Sequence, residues 1–93
     1  MTYDEFITRA LHGRSVNSAA KEMGIAQPVL NRYKLGQNLP GPLATVILAR
    51  EAGISEGEAL RVLATEEASR KGLLSRIKQL FRRPHRALIR GLA

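Results

Sequence analysis

Apolar residues recur along this chain at spacings of three and four, and glycines break them into short helical segments. Thr2, Tyr3, Asp4 and Glu5 have the form of a capping box, in which the Thr2 hydroxyl accepts from a backbone amide while Glu5 reaches back. Phe6, Ile7, Ala10 and Leu11 then give one apolar face, and Gly13 is expected to stop this first helix. Ser15 suits the cap of a second helix of about two turns, with Val16, Ala19, Ala20 and Met23 inward and Gly24 as the turn residue. Ile25 is placed to plug the core from the turn. A third helix is predicted over 27–35, with Leu30 buried, Tyr33 partly buried and Gly36 as its stop.

A loop over 37–41 follows. Pro40 and Pro42 bracket the start of a fourth helix, whose predicted apolar stripe is Leu43, Ala44, Ile47 and Leu48, ending at Gly53. Ser55, Glu56, Gly57 and Glu58 repeat the capping-box form and open a fifth helix through Leu60 and Leu63. No alternating run points to a β-strand. The expectation is a compact all-α, five-helix domain over 1–67, ending between Thr65 and Gly72, with an extension over 68–93. In that extension Leu73, Leu74, Ile77, Leu80 and Phe81 fall within an arc of roughly 120°. The opposite side is basic, and Pro84 should break the helix.

Charge sharpens this division. The chain carries a formal +7, yet there are seven basic and eight acidic side chains through Glu67, and eight basic with no acidic ones from Ala68 onward. The excess therefore belongs to the tail (Arg70, Lys71, Arg76, Lys78, Arg82, Arg83, Arg86 and Arg90), and net charge alone does not license a nucleic-acid partner for the body. That reading must come from pattern.

The pattern lies in residues 15–40. Two short helices with a glycine-led turn between them form the helix-turn-helix arrangement. Ala20 gives a small residue where the helices approach, Gly24 lets the chain reverse, and Ile25 and Leu30 lock the crossing. The second of these helices turns Gln27, Asn31, Arg32 and Lys34 outward. On Ala20 through Gln27, then Leu30 through Gly36 with Pro40, then Leu48 through Ser55, the chain resembles the phage-repressor-like helix-turn-helix family of Cro/C1 or XRE type. The likeness covers about two-thirds of the chain and extends to small regulators of filamentous phages and prophages.

The resemblance implies a transcriptional regulator, a repressor that binds double-stranded DNA as a homodimer on a palindromic operator and blocks polymerase sterically. It carries Gln27 to the first base-reading position, able to bond adenine bidentately, and Arg32 to a later one able to reach guanine O6 and N7 or a phosphate. Pro28 takes a second reading position, where it offers only apolar contact, and Asn31 is a base or backbone contact. Ser15 and Asn17, together with Lys34, Gln37 and Asn38, are candidates for phosphate. Ala26 stands where the family often has a capping Ser or Thr, which removes about 1 kcal/mol of capping.

Other classes stay open or fall away. There is no glycine-rich phosphate loop, no cysteine, and no His–carboxylate cluster beside a nucleophile, so the chain is not read as an enzyme and no cofactor is called for. His12 and His85 lack companions at metal spacing. The tail admits three readings: an electrostatic arm with steep salt dependence, a dimerisation element through Leu73, Leu74, Ile77, Leu80 and Phe81, or an interfacial membrane helix. A protein-interaction or membrane-surface module, or an architectural factor in excision or integration, is the alternative to a repressor. Lacking a signal-like start and any run near ~20 apolar residues, the chain is expected in the bacterial cytoplasm, at the nucleoid.

Overall fold

The computed structural model describes residues 1–72 and the single position Gln79. The described residues form five helices and no strand: α1 (Tyr3–Leu11), α2 (Val16–Met23), α3 (Gln27–Leu35), α4 (Pro42–Ala52) and α5 (Glu56–Arg70). Three starts carry the predicted hydroxyl cap, whereas the return bonds of the two capping boxes, from the Thr2 and Ser55 amides to the Glu5 and Glu58 carboxylates, are not formed. The Thr2 hydroxyl accepts from the Glu5 amide at 3.2 Å, Ser15 from Ser18 at 3.1 Å and Ser55 from Glu58 at 3.0 Å. The other two helices, α3 and α4, have no side-chain cap and open instead with a proline in the first turn, where a missing N–H breaks no intrahelical bond.

The exit of α1 differs from expectation. His12, not Gly13, takes the first left-handed position, at φ 54°, and Gly13 follows at φ 72°. A non-glycine residue there is strained, and His12 is held in place by its own ring, whose Nε2 meets the backbone carbonyl of Glu51 and lies 3.9 Å from that residue's carboxylate. Arg14 completes the same joint. Its guanidinium donates to the carbonyls of Leu11 (2.8 Å) and Ala10 (2.9 Å), which the end of α1 leaves without helical partners. It also pairs with Glu22 of α2 and, at 3.6 Å, with Glu51 of α4.

The core is built around Phe6, Leu30 and Leu48, all fully buried, with Ala10, Ala19, Ala20, Ala49, Ala52 and Ala59 at the helix contacts. Small side chains there let backbones approach closely, and α4 packs chiefly on α1, with α5 against both and α3 against α2 and α1. Two predicted inward residues are corrected. Leu43 is 75% and Leu60 65% exposed. In α4 the buried stripe is Thr45, Leu48, Ala49 and Ala52, on a helix that packs chiefly on α1 and also on α5. Thr45 fits inside by donating its hydroxyl to the Gly41 carbonyl at 2.7 Å. In α5 the inward residues are Ala59, Val62, Leu63 and Ala68, which turns Leu60 out.

The fifth helix runs to Arg70, so the division at 67/68 falls inside α5, where Ala68 is buried. None of the described helices is long and apolar enough to cross a membrane.

Candidate functional site

Helix α3 is attached to the body along a narrow line. Leu30 is its one fully buried side chain; Val29 and Tyr33 are half-buried on the same side. The other side is open. Gln27, Pro28, Arg32 and Lys34 are exposed and Asn31 is half-buried. Gln27 and Asn31 lie one turn apart, with Pro28 and Arg32 one position further round, so the four predicted base-reading residues share one solvent-facing side. Leu35, 59% exposed, extends that side toward the C-terminal end and was not singled out from the sequence. It is an apolar surface amid polar groups.

The start of α3 has simple chemistry. Ala26 provides no side-chain bond, Pro28 has no N–H, and the amides of Val29 and Leu30 both donate to the Ala26 carbonyl at 3.0 Å. The end is more elaborate. The Gln37 amide returns to the Arg32 carbonyl at 2.9 Å and the Gly36 amide to that of Tyr33 at 3.2 Å. Two long-range donors then fix this turn from outside. The Tyr3 hydroxyl donates to the Tyr33 carbonyl at 2.7 Å, and Arg70 Nη1 donates to the Gly36 carbonyl at 2.6 Å. Gly36 suits this position because its φ is 75°, and a Cβ there would sit 3.2 Å from Arg70 Nη2, so the guanidinium would have to shift slightly.

Arg70 and Tyr3 also hold each other. The guanidinium sits over the Tyr3 ring at 5.6 Å, a cation–π distance, while its Nε donates to the Glu66 carboxylate at 2.8 Å. Burial pushes the Tyr3 hydroxyl up to about 12, against the opposing pull of Arg70. The phenol is therefore a hydrogen-bond donor at any physiological pH. The sequence carried no sign of this latch, since its members are thirty or more positions apart from the carbonyls they meet.

Charge on α3 is of one sign. It contains no acid, and among the described residues Arg32 and Lys34 form no ion pair, whereas the one acid of α2, Glu22, is taken by Arg14. Of the predicted phosphate contacts, Lys34, Gln37 and Asn38 are exposed on or just after α3. Ser15 and Asn17 are exposed at the separate start of α2, and the Ser15 oxygen already serves as the cap acceptor, leaving its O–H to donate outward. The basic tail residues divide. Arg70 and Lys71 are engaged with Glu66 and Glu67, one helical turn back. Arg76, Lys78, Arg82, Arg83, Arg86 and Arg90, and the apolar stripe Leu73, Leu74, Ile77, Leu80 and Phe81, lie outside the described residues.

Comparison with protein-family models, with curated proteins and with solved structures gives no match to this chain.

Proposed function

We propose that this chain is a sequence-specific double-stranded DNA-binding transcriptional regulator, a phage- or prophage-type repressor that acts as a dimer on an inverted repeat. On this reading α2 and α3 are the two members of a Cro/C1-type helix-turn-helix, and α3 enters the major groove. Gln27, Pro28, Asn31 and Arg32 meet base edges, and Ser15, Asn17, Lys34, Gln37 and Asn38 meet phosphates. The observation that carries the reading is that α3 is held by one buried leucine and a latch at its last turn, leaving an acid-free side with amide and guanidinium groups in solvent.

Selection of bound fragments from random DNA with the full chain tests this, and an inverted repeat is the expected product. On the selected site, Gln27→Ala and Arg32→Ala should each weaken binding by roughly 1–3 kcal/mol while leaving non-specific binding little changed. Failure to enrich any sequence, or enrichment indifferent to both substitutions, overturns the reading.

A further inference from the structure

The contacts that hold α3 decide how accurately its open side can be aimed. Its start is tied to α2 through the turn at Gly24, where the Ile25 amide returns to the Ala20 carbonyl at 3.1 Å. Its middle is seated by Leu30, with Val29 and Tyr33 half-buried beside it. Its last turn, from Arg32 to Gly36, offers carbonyls to two donors from distant parts of the chain, Tyr3 of α1 and Arg70 of α5.

Both donors are themselves fixed. Tyr3 is only 4% exposed and belongs to the core, and Arg70 is held by the Glu66 carboxylate at 2.8 Å and by the Tyr3 ring at 5.6 Å. A donor locked by its own neighbours fixes the group it meets, whereas a free surface side chain follows that group. The run from Leu30 to Gly36 makes a lever of about 9 Å, at ~1.5 Å per residue. A tilt of about 6° around Leu30 therefore carries the last turn roughly 1 Å, enough to take a hydrogen bond of ordinary length out of range. Arg32 opens this turn, and its aim depends on the latch. Gln27 stands at the other end, beside the tether to α2.

We propose that Tyr3 and Arg70 are positioning residues for DNA recognition, which set the seat of the last turn of α3, and with it Arg32, without touching a base. The inference rests on the DNA-binding reading and adds to it where discrimination resides. Part of the selectivity is carried by a buried phenol and by an arginine at the end of α5.

Tyr3→Phe is the cleaner variant, since it removes one hydroxyl, keeps the ring in the core and lies where no duplex can reach it. On the site selected from random DNA, and with helix content by circular dichroism undiminished, it should weaken specific binding of the full chain roughly five- to tenfold. Non-specific binding and the salt dependence of specific binding should stay as they are, because no phosphate contact is lost. The cost should shrink to about twofold or less in an Arg32→Ala background and persist in a Gln27→Ala background. Arg70→Lys should fail to restore what Arg70→Ala loses, since it keeps the charge but not the planar fork that meets Gly36 and Glu66 together. This second pair carries the test if Tyr3→Phe lowers helix content.

Undiminished affinity of folded Tyr3→Phe for a site that still responds to Gln27→Ala and Arg32→Ala overturns this inference alone, as does an equal cost of Tyr3→Phe in both backgrounds. Rescue by Arg70→Lys, with a shallower salt dependence in Arg70→Ala, makes Arg70 a phosphate contact and removes its positioning role. If no sequence is enriched, the DNA-binding reading and this inference fall together.

Discussion

Helices α3 and α4 start alike and are held differently. Both lack a side-chain cap and carry a proline in the first turn, and they are nine and eleven residues long. Yet α4 buries Thr45, Leu48, Ala49 and Ala52 against its neighbours, while α3 buries Leu30 alone. The first is fixed along its length by packing. The second is fixed by Leu30, with half-buried Val29 and Tyr33 beside it, and by two donated hydrogen bonds at its end. A helix of nine residues is unstable alone in water, so α3 exists because those few contacts exist, and the rest of its surface is released for other uses.

The largest test of this contrast removes each anchor. Leu48→Ala and Leu30→Ala should both destabilise the chain by about 2–5 kcal/mol in urea titrations. They should differ in native-state hydrogen exchange, where Leu30→Ala opens the α3 amides ahead of those of α4 and Leu48→Ala lowers protection throughout. Uniform loss in both variants would abolish the distinction.

Alkaline titration probes the latch. The Tyr3 hydroxyl holds its proton more tightly in the folded chain, with a pKa of about 12 against roughly 10 when unfolded. The stability it contributes is complete below the lower value and is lost as pH rises through the higher one, so the unfolding midpoint should fall between those limits. Tyr3→Phe should remove that slope. A smaller effect is expected from Arg70→Ala: about 1–2 kcal/mol, concentrated at the end of α3, with exchange of the Gly36 and Gln37 amides accelerated and α4 untouched. The smallest acts at the opposite end. Ala26 already has extended backbone, at φ −60° and ψ 135°, so Ala26→Ser should add a cap and raise stability by roughly 0.5–1 kcal/mol, read as a higher melting temperature.

Local signals carried most of the helix boundaries. Thr2, Ser15 and Ser55 cap because a hydroxyl one position before a helix has an amide in reach, and Gly24, Gly36 and Gly53 end helices in left-handed backbone. What the sequence could not show was set by residues far away. Helix α4 is apolar on nearly every side, so its own periodicity left its rotation undecided; its packing on α1 and α5 buries Ala49 and Ala52 and leaves Leu43 in solvent. Arg70 read as one of the cations of the basic tail and Arg14 only as part of the charge count, because a charge looks the same in sequence whether it is clamped or free. The open side of α3 was legible, since polar groups at helical spacing opposite Leu30 have one direction to point. The means of holding it was not.

The latch joins the third residue and the seventieth across the last turn of α3. Tension applied to the described body at Met1 and Gly72 would therefore reach this turn before it reached Phe6 or Leu48. Under load the domain should shed α3 from its seat while the α1–α4 pair stays assembled, so the piece that yields first mechanically is also the one that faces outward.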